Sequence, residues 1–132
     1  MEQLEREIAR ARRARETLTV AFVDVDGLKL VNDTRGHLAG DSLLRAVARS
    51  LQRCLRTYDL IMRFGGDEFV CALSNSDIED VGRRFAEVSR ALGECHAGGS
   101  ITVGFAELDG EDTPEDLIHR ADGDLLARRA SL

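Results

Sequence analysis

Apolar positions along the chain switch between helical and strand spacing. From Glu2 to Glu16, Leu4, Ile8 and Ala11 recur at helical intervals among arginines, which predicts an amphipathic surface helix with a solvated charged face. Leu18 to Val25 is almost continuously apolar, as in a central strand covered on both faces. The polar stretch Gly27 to Gly40 allows a short helical turn at Leu28, Leu30 and Val31, broken by Asn32-Asp33-Thr34 and Gly36. Asp41 reads as the N-cap of a helix striped by Leu43, Leu44, Val47, Ala48, Leu51 and Leu55. Residues 59–73 read as a hairpin about Gly65-Gly66, since glycine tolerates positive φ at both central turn positions. Ser76-Asp77-Ile78-Glu79 has the form of a capping box, opening a helix with Ile78, Val81, Phe85, Val88 and Leu92 inward. Gly98-Gly99 leads into a strand in which Ile101, Val103 and Phe105 alternate with Thr102, Gly104 and Ala106. Thr113 caps the last helix, Pro114 begins it, and Leu117, Ile118, Ala121 and Leu125 form its buried stripe. The order α, β, α, β-hairpin, α, β, α predicts an α+β fold with a split β-α-β core and helices on one or both faces.

At 132 residues the chain suits one domain, 1–132, with a sizeable core. A net charge of −6 and a pI near 5.1 argue against general nucleic-acid binding, which needs a basic footprint. Such a chain still accepts a polyphosphate if metal ions neutralise the like charges. Cys54, Cys71 and Cys95 are odd in number and form no C-x-x-C pair, so a reducing, cytoplasmic setting is expected. No apolar run reaches a membrane span and no signal-peptide pattern opens the chain, so no direct membrane contact is expected of this chain, which leaves an anchor on a longer parent open. His96 reads as a loop residue and His119 as a helix-surface residue.

Two acidic features carry the candidate chemistry. Asp67 and Glu68 follow the glycine pair directly, either as a solvated hairpin tip or as carboxylates presented on an unobstructed turn. Asp24 interrupts the apolar strand near its end, and Asp26 follows two residues later. A carboxylate there faces solvent or must be paired, hydrogen-bonded or bound to a cation. Two such carboxylates suit Mg²⁺, a hard ion that takes oxygen ligands and substrate phosphates. By default Lys29 is a solvated lysine, His37 a loop hydrogen-bonder, and Arg56-x-x-Asp59 a surface ion pair.

The segment D-V-D-G-L-K-L-V-N-D-T-R-G-H-L-A-G-D, then R-T-Y-D-L-I-M-R-F-G-G-D-E-F and the terminal R-A-D, resembles the GGDEF family of diguanylate cyclases over nearly the whole chain. The resemblance implies a palm like that of nucleotide cyclases and polymerases: a mostly antiparallel sheet with flanking helices and a ferredoxin-like core. It implies condensation of two GTP into cyclic di-GMP with release of two pyrophosphates, in a transient face-to-face homodimer. By this resemblance Asp24, the Val25 carbonyl and Asp67 hold Mg²⁺ or Mn²⁺. Asp67 draws the ribose 3′-hydroxyl proton, and Glu68 is a weaker ligand candidate. Asn32 and Asp41 read guanine, Lys29 contacts phosphate, and His37, Gly65 and Gly66 lie in the nucleotide-contacting region. Arg56 and Asp59 fall where the family places product inhibition.

The chain also departs from the family pattern. Gly27-Leu28 stands where many relatives have bulkier aromatic residues. Arg129, or Arg128 if the register slips, takes the place of a phosphate-binding lysine. The chain stops at Leu132 before a second basic residue, and the upstream D-x-L-T turn is missing. These departures suggest a piece of a longer signalling protein with its C-terminal end truncated. They also keep a rival reading open: a domain that binds GTP or cyclic di-GMP as a sensor without turnover.

Overall fold

The structure, a computed structural model, describes residues 1–131. The elements run α1 (Glu2–Ala14), β1 (Leu18–Val25), α2 (Leu28–Arg35), α3 (His37–Cys54), β2 (Leu60–Gly65), β3 (Glu68–Ser74), α4 (Ile78–Cys95), β4 (Ile101–Glu107) and α5 (Pro114–Ala130). The strands form one sheet in the order β2-β3-β1-β4, and each neighbouring pair is antiparallel. The expected mostly antiparallel sheet with flanking helices is therefore what the chain adopts.

The alternation along β1 divides the core. Ala21, Val23 and Val25 join Phe69, Cys71 and Leu73 of β3 against Leu43, Val47 and Leu51 of α3 and Phe85, Val88 and Leu92 of α4. Val20 and Phe22 point the other way, with Val70 and Ala72, onto Leu4 and Ile8 of α1 and Leu117, Ala121 and Leu125 of α5. Each fully buried leucine or valine contributes roughly 1.5–3 kcal/mol, so the strand that carries Asp24 next to its end is held from both faces. On β4, Gly104 and Ala106 are buried, while Ile101, Val103 and Phe105 pack half-buried toward α3 and α4. A Cβ on Gly104 would meet Ala121 O at 2.1 Å and Leu125 N at 2.3 Å, so α5 lies directly on the β4 backbone.

Several boundaries differ from expectation. The short turn after β1 is a full helix, α2, that includes Asn32, Asp33 and Thr34. Thr34 Oγ1 donates to Leu30 O at 2.7 Å, a back-bond that lets a polar segment stay helical. Gly36, at φ 89°, then reverses the chain so tightly that α3 starts at His37, and Asp41 is one turn inside the helix rather than its N-cap. His37 is thus helical, not a loop residue. At α4 the cap is Asp77, whose Oδ1 accepts from Asp80 N at 2.9 Å, because the buried Ser76 hydroxyl accepts from Arg56 Nη2 instead. Ile78 in that first turn is exposed, not inward. Among the described residues no helix is long and apolar enough to cross a membrane.

Candidate functional site

The β1–β3 ladder sets the acidic residues side by side. Asp24 is paired with Glu68 across the strands, and Val25 N donates to Asp67 O at 2.9 Å. Asp24 and Glu68 lie two residues from Phe22 and Val70 on their strands and so share their face, which puts both side chains on the α5 side of the sheet. Asp67, in the turn, lines a cleft of about 460 Å³ on the α2–α3 side together with Lys29, Asn32, His37, Leu44 and Arg63. A neighbouring cleft of about 330 Å³ is lined by Asp41, Leu44, Ala48, Arg63 and Phe69. The predicted residues Lys29, Asn32, His37, Asp41, Gly66 and Asp67 thus gather around two adjoining clefts that share Leu44 and Arg63.

The glycine pair works differently from expectation. Neither Gly65 nor Gly66 has positive φ; the ladder is irregular between Arg63 and Gly65, Gly65 pairs with Glu68, and the turn is Gly66-Asp67. Gly65 is needed for space: a Cβ there would meet Glu68 Oε1 at 2.2 Å, so that carboxylate folds over the bare backbone. Arg63, which the sequence reading passed over, closes the turn. Its Nε donates to Gly65 O at 3.0 Å, its Nη2 donates to Gly66 O, and its guanidinium covers the Phe69 ring at 5.7 Å. An arginine two residues before the glycine pair was the available signal.

Burial raises the Asp24 pKa above the ordinary carboxylate value, the Asp67 charge adds to the rise, and Arg129 works against it. Glu68 is likewise raised, by burial and then by the Asp67 and Asp24 charges. Two carboxylates whose ionisation is disfavoured, with the Asp67 charge beside them, form an electrostatic well for a cation. Among the described residues Asp24 Oδ1 is buried without a hydrogen-bond partner, so one Asp24 lone pair set is unused. Among those residues no three His, Cys, Asp or Glu side chains form a group able to hold an ion by themselves. That donor set fits Mg²⁺, which takes one or two carboxylates and fills the remaining positions with water and phosphate oxygens.

Arg129, expected on phosphate, lies on the carboxylates instead. Its Nη1 is 2.9 Å from Asp24 Oδ2 and its Nη2 donates to Asp26 Oδ1 at 3.1 Å. Arg128 pairs with Asp124 at 2.9 Å and covers the Phe105 ring, which places Arg129 rather than Arg128 at the acidic cluster.

Arg56 and Asp59 are remote from this cluster in the fold, where β2 begins. Both Asp59 oxygens are taken by Arg56, through N, Nε and Nη2 at 2.8, 3.1 and 2.9 Å, and the Asp59 side chain is 0% exposed. Arg56 also donates to Ser74 O and lines a cleft of about 390 Å³ with Ser76, Arg83, Arg84 and Glu87. Cys54, Cys71 and Cys95 are free thiols, and burial pushes the Cys71 thiol up.

A family model described as diguanylate cyclase, GGDEF domain, matches residues 1–131. The chain is 41% identical over 138 residues to diguanylate cyclase DgcP of Pseudomonas aeruginosa, covering 98% of this chain and 20% of that protein. It is 38% identical to diguanylate cyclase DosC of Escherichia coli K12, covering 94% of this chain and 29% of that one. Thus it spans less than a third of the length of either relative. Among solved structures it superposes on diguanylate cyclase SiaD of Pseudomonas aeruginosa, crystallised with its activator SiaC, with TM-score 0.89, 34% identity and coverage of 98% and 53%. It superposes on the GGDEF domain of DgcB from Caulobacter crescentus, crystallised with c-di-GMP, with TM-score 0.91, 26% identity and coverage of 98% and 82%.

Proposed function

Because the chain belongs to the diguanylate cyclase GGDEF-domain family, we propose that it condenses two GTP into cyclic di-GMP. Two 3′–5′ phosphodiester bonds form, two α–β phosphoanhydride bonds break, and two pyrophosphates leave. The observation that carries this reading is the ladder contact that fixes Asp67 beside Val25 and Glu68 opposite Asp24. Asp24, the Val25 carbonyl and Asp67 would hold Mg²⁺ or Mn²⁺, with Glu68 as a further oxygen donor. The bound ion supplies charge neutralisation at the triphosphate and lowers the pKa of the attacking hydroxyl. Asp67, at the cleft wall, takes the 3′-hydroxyl proton onto its carboxylate. Asn32 and Asp41 give acceptors for guanine N–H groups, which adenine lacks at the matching positions. A site that leaves such groups unpaired rejects the wrong base by ~10⁴-fold or more. Lys29 and His37 line the larger cleft as partners for phosphate and nucleotide, Gly65 and Gly66 leave the approach open, and Arg129 contacts phosphate once released from Asp24.

Product inhibition is assigned to the cleft beside Arg56, with Asp59 acting through Arg56 because its oxygens are occupied. The domain would work as a transient homodimer, in the cytoplasm, within a longer signalling protein.

The rival reading, a GTP or cyclic di-GMP sensor without turnover, draws support from the guanidinium resting on Asp24. Incubation with GTP and Mg²⁺ followed by chromatography separates the two. Cyclic di-GMP is the expected product, and binding without product at any protein concentration would favour the sensor. Asp67→Ala is expected to lower product formation by at least ~10²-fold with unchanged far-UV circular dichroism; loss of the fold would make Asp67 structural.

A further inference from the structure

Arg129 sits in the last turn of α5, where the helix dipole favours a cation. Of the adjacent arginines, Arg128 turns back along its own helix to Asp124, while Arg129 crosses to the end of β1. There its two terminal nitrogens are divided between two carboxylates of different character. Asp26 is anchored: it accepts from Ser100 Oγ at 2.8 Å and Thr102 Oγ1 at 2.7 Å, and its N–H donates to Ser100 O. Asp24 is half-satisfied: Oδ2 has Arg129, and among the described residues the buried Oδ1 has no partner. An acceptor left without a donor in a buried position is unfavourable and is corrected by any cation that can reach it. A divalent ion on Oδ1 would place a second cation on a carboxylate whose Oδ2 already holds the guanidinium at 2.9 Å, and the two like charges repel across it.

We propose that Arg129 is the resident counter-cation of Asp24, displaced by the divalent ion, with Asp26 retaining the side chain beside the site until triphosphate takes it. This rests on the reading of Asp24 as a metal ligand. Metal loading and triphosphate binding are then coupled through one side chain, and the coupling is reciprocal: a triphosphate that draws Arg129 away tightens the metal, and the metal frees Arg129 for the triphosphate.

The test is a titration of Mn²⁺ alone, without nucleotide, into the whole chain, with free Mn²⁺ read by electron paramagnetic resonance. Arg129→Met keeps the long stem and removes the charge. It is expected to bind Mn²⁺ roughly tenfold more tightly than the unmodified chain, the equivalent of one lost charge-assisted contact. Arg128→Met removes an equal charge one residue away and is expected to stay within about twofold, since its partner is Asp124 rather than the site. Asp24→Asn is expected to lose Mn²⁺ binding. Arg129→Met binding no more tightly than the unmodified chain, or Arg128→Met tightening as much as Arg129→Met, would overturn the counter-cation role while Asp24 stands as a ligand. Unchanged Mn²⁺ binding in Asp24→Asn would overturn both.

Discussion

Glu68 Oε1 occupies the place where a side chain on Gly65 would begin, 2.2 Å from an ideal Cβ. Gly65→Ala must therefore displace the Glu68 carboxylate from its place over the turn. The backbone has little reason to move, because the colliding atom ends a flexible side chain and Gly65 has ordinary φ. The expected outcome is a melting temperature within a few degrees of the unmodified chain and a rate of cyclic di-GMP formation lower by about tenfold or more, since misplacement by an ångström is that expensive at a reacting centre. Gly66→Ala, with nothing within 4 Å of its Cβ, is the comparison and is expected to be milder in both measurements. A matching case is Gly40, whose Cβ would lie 1.8 Å from Asn32 Oδ1, so a bare position in α3 makes room for the amide assigned to guanine. Sequence reading found the glycines of the turn and attached the wrong reason to them. Adjacent glycines announce permissive backbone, whereas the space they leave for a side chain three residues on becomes visible only once the strands are in register. Asp24 and Asp67 were legible because a carboxylate beside an apolar run is costly, and that cost is local. Arg129 on Asp24 was not, because the pair is 105 positions apart and joined only by the packing of α5.

At the scale of elements, local capping signals read correctly where no distant side chain competed for the capping group, and failed where one did. Thr113 caps α5 as expected; Asp116 completes a reciprocal capping box with it, and the hydrogen bond from Thr113 N holds the Asp116 carboxyl below its usual range. At α4 two capping residues stood in sequence; Arg56 claimed the Ser76 hydroxyl and Asp77 capped the helix. On the other side of the sheet, β4 pairs only with β1, so its outer N–H groups lack a strand partner. Asp124 of α5 supplies one, accepting from Phe105 N at 2.8 Å. Burial pulls the Asp124 pKa up, but the Phe105 N–H and the Arg128 guanidinium more than offset it, leaving the carboxyl below its ordinary value. A depressed folded-state pKa means stability that is present above the unfolded carboxylate range and lost as pH falls through the folded value. Asp124→Asn keeps the shape and removes the charge. Thermal melts should place it below the unmodified chain by up to about 1 kcal/mol at pH 7, a figure already reduced for solvent screening. The gap should close below about pH 4; a gap that widened in acid would contradict the assignment.

For the whole molecule, hairpin pairing between β2 and β3 was foreseeable from proximity, but the insertion of β1 between β3 and β4 was not, because period-2 patterns fix a strand's faces and not its neighbours. The cost of two isolated carboxylates pointed to a shared cation, but not to the ladder that brings a strand end and a turn 43 positions apart together. The same topology bears on how product is made. Among the described residues one Asp24, one Asp67 and two adjoining clefts suit one GTP, yet the proposed product joins two nucleotides by two equivalent bonds. In the proposed reaction each 3′-hydroxyl would attack the α-phosphate held by a second domain, so turnover would need two copies face to face. A charge of −6 on each copy opposes that encounter at low ionic strength. Initial rates at saturating GTP should therefore rise with the square of protein concentration when copies are scarce, so that doubling the protein quadruples the rate. The order should fall toward one as the pair becomes populated, and moderate salt should move that crossover to lower concentration by screening the repulsion. Any longer parent segment that held two such domains together would replace the second-order step by an effective local concentration and make the dependence linear throughout. Strict proportionality for this chain alone, down to concentrations where light scattering reports a monomer, would mean that one domain closes both bonds.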